Sequence, residues 1–228
     1  MTARPRPVRG WRRSWETLLA ERPLETFVTL ILEHVDAALA EAHRELYPER
    51  VLEHIPLSLT LLYPWIPAES VTDADLAELR SFFAARHPLR FDLVAVAEIP
   101  DKVAYAVPQP DDALRTTMRA LWARYPQYPP YRQVGSDPPP HCTLGRLEGH
   151  YAVTVEHVAG RVGPLLPVHC EVEEATLMEE YAIDRCRVRE TFPFGGLGGS
   201  RPSGERGRPV NPHDGRQERP DPTAQPRR

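Results

Sequence analysis

Long hydrophobic runs are missing from this 228-residue chain. No stretch approaches the ~18 consecutive apolar residues of a membrane-spanning helix, so a membrane partner is not expected. The opening "MTARPRPVRGWRRSW" is basic but has no apolar core of a secretory signal, and a cytoplasmic protein is the expectation. Cysteine is scarce. Three residues, Cys142, Cys170 and Cys186, make an odd number rather than a disulfide framework, and they are expected as small buried apolar groups. The matching pairs His141-Cys142 and His169-Cys170 suggest zinc at first sight. Neighbours on a strand point to opposite faces, so neither pair can easily chelate one ion; no metal or other cofactor is expected. There is no coiled-coil repeat or long apolar stripe, and no obligate protein partner is inferred.

Basic charge is missing from the middle of the chain. The net charge is -4, yet residues 1 to 13 hold five arginines and no acid, while 195 to 228 hold seven arginines against four acids. The body from 14 to 194 is therefore at -12. Polyanion affinity depends on neutralising phosphates with basic groups. General nucleic-acid binding is thus excluded for the body, and any phosphate must be met by a local pocket or by the ends. From Gly195 onward lie seven of the 13 glycines and six of the 26 prolines, with too little apolar surface to fold. Three segments are expected: a basic extension over 1–23, one folded domain over 24–194, and a disordered Gly/Pro/Arg-rich tail over 195–228.

Within the domain, strands and helices alternate. "TFVTLILEHV" (26 to 35) is β-branched and reads as a strand. Residues 36 to 47 have helical spacing with Asp36 as cap and Pro48 as stop. "LSLTLLYPW" is a strand, and Thr72 with Asp75 opens a helix running to about Arg86. "RFDLVAVAEI" and "VAYAVPQP" follow as strands, then a helix from Asp111 or Asp112 to Pro126. "HCTLGRLE" is a strand, 154 to 163 a short helix, and "VHCEVEEATLMEE" and "RCRVRETFPF" are closing strands. Strand, helix and a strand bearing Thr-Leu occur at 26 to 62 and again at 103 to 147. An α+β fold of two similar lobes follows from this repeat.

The chemistry sits on the two repeated strands. By alternation, His141, Thr143 and Gly145 share a face, as do Ser58 and Thr60, with mostly apolar groups behind them. Tyr63 and Arg146 have the wrong parity for that face. A histidine and a threonine about 6–7 Å apart along one strand face suit a phosphate. The imidazole moves a proton near neutral pH and the hydroxyl donates to a non-bridging oxygen. "SLTLLYPW" and "PHCTLGRL" resemble the two His-x-Thr motifs of the 2H phosphoesterase superfamily. They are most similar to its bacterial 2′-5′ RNA ligase and RNA 2′,3′-cyclic phosphodiesterase branch. "YPPY" and "TLMEE…RCRVRETFPFG" support the resemblance, which spans roughly residues 25 to 195.

The resemblance implies a bilobal α+β fold, two pseudo-symmetric lobes of antiparallel sheet with flanking helices around a central groove. It also implies metal-independent cleavage or formation of 2′-linked or 2′,3′-cyclic phosphoesters by two histidines. The partners implied are a small phosphoester, a nucleotide or an RNA terminus. Residue by residue, the second motif falls on His141 and Thr143, expected as catalytic. The first falls on Ser58 and Thr60, expected to bind substrate, with serine where the family has histidine. Serine cannot act as acid or base near neutral pH without an activating partner, so catalysis is expected to be impaired or altered. His54 shares the parity of Ser58 and is the candidate to reach the substrate instead, although four residues of strand separate them by about 13 Å. The run "YPQYPPYRQ" (125 to 133) reads as a rigid rim loop, or as an aromatic platform for a base. The alternative function is a non-catalytic nucleotide or RNA-end binding protein. A structural interaction domain is a third, which requires a groove filled by side chains.

Overall fold

The computed structural model describes residues 22–32, 35 and 37–195. The basic extension up to residue 21, Asp36 as helix cap and the tail beyond residue 195 therefore lie outside the described residues. The strands are β1 Thr26–Ile31, β2 Ser58–Leu62, β3 Leu89–Ile99, β4 Val103–Gln109, β5 Cys142–Arg146, β6 Val168–Val172, β7 Glu174–Ala182 and β8 Arg185–Pro193. The helices are α1 Ala37–Leu46, α2 Pro48–Leu52, α3 Asp73–Ala84, α4 Asp112–Arg124 and α5 Val155–Val162.

All eight strands join one antiparallel sheet in the order β6-β3-β4-β5-β2-β1-β7-β8. It divides into two four-stranded halves that meet where β2 pairs with β5. The junction is narrow, with Leu59 opposite Cys142. The expected repeat is real at the level of structure: β1-α1-β2 and β4-α4-β5 are equivalent units, each closing an antiparallel strand pair. Their helices cross over. α1 packs on β5 and α4 on β2, so each unit's helix covers the other unit's motif strand. α3 lies on β8 and α5 on β3.

Local chemistry accounts for most boundaries. Thr72 accepts from the Asp75 N–H while Asp75 accepts from the Thr72 N–H, the reciprocal cap expected at α3. Thr154 caps α5 through the His157 N–H. Two expectations are corrected and one is extended. β1 ends at Ile31 rather than reaching Val35. α1 does end before Pro48, as expected, but Pro48 also opens a second helix, α2, where its missing N–H costs nothing in the first turn. "VHCEVEEATLMEE" is two strands broken at Glu173, β6 at one sheet edge and β7 inside the other half.

Both motif strands carry a bulge at the same place. Along β1–β2, Thr29 faces Thr60 and Val28 faces Leu62, leaving Leu61 as the extra residue. Along β4–β5, Tyr105 faces Thr143 and Ala104 faces Gly145, leaving Leu144 extra. In each case two successive residues turn to the core, and strand parity reverses after them. Leu61 and Leu62 are buried, as are Leu144 and Gly145. Glycine is required at 145: a Cβ there would lie 2.6 Å from Val153 Cγ2 and 3.2 Å from the Leu46 carbonyl oxygen.

Two outcomes follow for stability. Gly145→Ala overpacks the bulge and is expected to cost about 1–3 kcal/mol. Gly160→Ala, inside α5 with nothing within 4 Å of the new methyl, is expected to stabilise by about 0.5–1 kcal/mol; urea unfolding of the two variants measures both. His43 on α1 is buried, and desolvation, with Arg50 and Arg44 nearby, lowers its pKa to about 4. The unfolded chain binds a proton below about pH 6.5 that the fold refuses. His43 thus subtracts stability progressively as pH falls from about 6.5 to about 4, by about 3 kcal/mol in all. His43→Gln should remove that share of the acid-side slope in unfolding measured from pH 7 to pH 4.

Candidate active site

The seam between β2 and β5 forms the floor of a cavity of about 800 Å³, ordinary for a small-molecule site. Thr60, His141 and Thr143 line it together, joined by Tyr63, Tyr131, Arg50 and Arg146. His141 precedes β5 and is 6% exposed. Its Nδ1 lies 2.7 Å from the Pro139 carbonyl oxygen. A carbonyl can only accept, so Nδ1 carries the proton and Nε2 presents a lone pair. The Tyr131 hydroxyl, 3.2 Å from Nε2, donates to it. Tyr105 packs edge-on against the ring at 5.6 Å. Burial, reinforced by the Arg50 charge and only partly opposed by the Pro139 bond, holds the imidazole pKa below its ordinary value. His141 is therefore a neutral, oriented base at pH 7.

Tyr131 belongs to the "YPQYPPYRQ" run, and its hydroxyl enters the cavity instead of the loop merely packing on the rim. Tyr131 and Arg132 both adopt left-handed backbone, with φ of 53° and 59°, a conformation that costs non-glycine residues of order 1–3 kcal/mol each. The Tyr131 N–H donates to the Tyr63 carbonyl oxygen at 2.6 Å, and the two rings lie 6.2 Å apart. Thr60 stands close enough to the hydroxyl to lower the phenol pKa somewhat against the larger effect of burial. Burial raises the phenol pKa to about 12, so it stays protonated.

The cavity holds both charge signs. Arg22 pairs with Glu180 at 2.6 Å and Arg132 pairs with Glu25, whose Oε2 also accepts from the Tyr63 hydroxyl at 2.5 Å. These cations are already neutralised. On the β5 side Arg50 reaches Glu53 only at 3.7 Å, and Arg146 makes no carboxylate contact within 4 Å among the described residues. An anion entering beside His141 and Thr143 thus meets cations with charge to spare.

The expected site residues are only partly brought together. His141, Thr143 and Thr60 converge. Ser58 lies half-buried at the start of β2, opposite Ile31, and is not among the cavity-lining residues. His54 is corrected outright. It sits in the turn after α2 with φ of 60°, not on β2. Its Nδ1 is 3.4 Å from the Tyr181 hydroxyl, and it lines a separate depression with His43, Arg44 and Val51. Tyr63 and Arg146 are in the cavity, against the alternation argument, because the two bulges reverse parity just before them. Gly145 turns to the core for the same reason. Arg50 was missed because α2 was missed; a Pro followed by charged and apolar residues was the available signal. Among the described residues no three His, Cys, Asp or Glu side chains could jointly hold a metal, and the three cysteines are buried. No helix among the described residues is long and apolar enough to cross a membrane.

Comparison with known proteins agrees with the fold. TT0787 of Thermus thermophilus is similar, at 23% identity and a TM-score of 0.50, over 76% of this chain and 100% of that one. E. coli LigT, solved with 3′-AMP, gives 19% identity and a TM-score of 0.46 over 76% of this chain and 99% of that one. A search of curated proteins gives no significant match. The family model of the 2′-5′ RNA ligase superfamily matches residues 31–183, a span that takes in both motif strands, the bulges behind them and the seam they form. This chain belongs to the 2′-5′ RNA ligase superfamily, the 2H phosphoesterases.

Proposed function

We propose that residues 24–194 form an enzyme domain that cleaves, and in reverse forms, a 2′-linked or 2′,3′-cyclic phosphoester of a nucleotide or RNA end. The observation that carries this reading is the convergence of His141, Thr143 and Thr60 on one cavity from adjoining central strands. Phosphoryl transfer needs a proton acceptor for the attacking oxygen and donors for the non-bridging oxygens. The neutral Nε2 of His141 supplies the first. The Thr60 and Thr143 hydroxyls supply the second, and Arg50 and Arg146 balance the charge. Ser58 supplies neither acid nor base, so the side of the reaction served by a second imidazole in relatives runs here without one.

His141→Ala is expected to lower kcat/KM for a nucleoside 2′,3′-cyclic phosphate by about 10²–10⁴-fold, measured by product formation at pH 7. Arg146→Ala should act mainly on KM, raising it about tenfold, since a cation on a non-reacting oxygen binds ground and transition states alike. The missing histidine favours one alternative, a nucleotide-binding protein with no turnover. That alternative expects nucleotide binding by calorimetry, no turnover by the native chain, and turnover by Ser58→His. Turnover by the native chain that survives His141→Ala would sink the assignment of His141.

A further inference from the structure

The hydroxyl that faces His141 is in the wrong place for a bystander. His141 is almost wholly enclosed, and its one free lone pair points at Tyr131 Oη, 3.2 Å away. Any base catalysis by that nitrogen must displace this hydroxyl or pass through it. Displacement would unseat a residue fixed by the Tyr63 carbonyl and by two consecutive left-handed residues, with its ring beside that of Tyr63. Passing a proton through it needs no movement. Resting on the phosphoesterase reading above, we propose that Tyr131 is a further catalytic residue, a proton relay that presents the basicity of His141 to the substrate.

The step balances. The attacking oxygen, of water in hydrolysis or of a ribose hydroxyl in ligation, loses its proton to Tyr131 Oη as it bonds to phosphorus. The proton of Tyr131 crosses to His141 Nε2, leaving an imidazolium whose Nδ1–H still donates to the Pro139 carbonyl. The bond from phosphorus to the leaving oxygen breaks, and that oxygen keeps the electron pair and takes a proton from water. The imidazolium returns its extra proton through Tyr131 to solvent. Tyr131 is at no stage a lasting phenolate. Burial opposes that charge, while Arg50, near enough to lower the phenol pKa against it, eases the moment of transfer. The groups facing the pair are Arg50, Tyr47, Thr60, Tyr63 and Tyr105, and among them none is a carboxylate that could replace the imidazole as final acceptor. A phenol alone could not serve, because its own conjugate acid is far too strong to hold a second proton.

The test is a double-mutant cycle on the full chain, with a nucleoside 2′,3′-cyclic phosphate as substrate and kcat followed from pH 4.5 to pH 8. A relay makes the two residues one device. Tyr131→Phe and His141→Ala should each lose about 10²–10⁴-fold, and the double variant should lose no more than either. The native profile should fall on the acid side, at a pH below the ordinary histidine range, as His141 protonates. In Tyr131→Phe that limb should vanish from the residual rate, which a merely structural role would not cause. Matching unfolding midpoints for native chain and Tyr131→Phe guard against misfolding as the cause. Losses that multiply in the double variant, or a Tyr131→Phe variant as fast as native, overturn the relay while leaving His141 as a base. No turnover by the native chain overturns the relay together with the reading beneath it.

Discussion

The candidate site of this chain depends on one pairing, β2 against β5. The two halves of the sheet are each four strands wide and each is held by its own cross-strand ladder. They are joined at Leu59 opposite Cys142. Because the strands run antiparallel, the residues that flank that pair on one strand come opposite those that flank it on the other. His141 is brought toward Thr60, and Ser58 toward Thr143. A short seam suffices because α1 and α4 each cover the opposite motif strand, so the junction is clamped by buried apolar contacts rather than by ladder hydrogen bonds alone.

The architecture was largely legible in the residues. Alternating strand and helix patterns, the Thr72–Asp75 cap and the repeat of strand, helix and Thr-Leu strand all led to the two-part α+β fold. Two losses had a common physical origin. Strict alternation assigned Tyr63 and Arg146 to the wrong face, since a period of two holds only while one residue faces one residue. An extra residue in each motif strand breaks that count, and nothing in "LTLLY" announces it. In "CTLGR" the glycine was a signal, because a strand glycine often marks a bulge or a close approach. His54 failed for another reason. Pro56 and a left-handed turn separate it from β2, so its parity with Ser58 had no strand to act through. Arg50 was hidden by reading Pro48 only as a terminator when it also initiates α2.

The acidic body and the phosphate-suited cavity are compatible because charge is settled locally. Arg22, Arg132 and Lys102 are spent on Glu180, Glu25 and Glu148. Arg50 and Arg146 remain less committed, and both stand on the side of the cavity where His141 and Thr143 are. Long-range attraction of polyanions is weak under such a distribution, while a single anion close to those two guanidiniums is still well served.

The equivalence of the two bulged strands has a consequence for handedness of use. A frame with two-fold pseudo-symmetry and identical chemistry on both strands would accept an asymmetric ester in either sense, head to tail or tail to head, with equal effect. Here the frame is retained but its two motif strands differ: β5 is preceded by His141, which lines the cavity, whereas β2 begins with Ser58, which does not. Two opposite orientations of an asymmetric ligand across the seam would then meet different surroundings. The repeat gives a symmetric stage; unlike residues at its equivalent positions give it polarity.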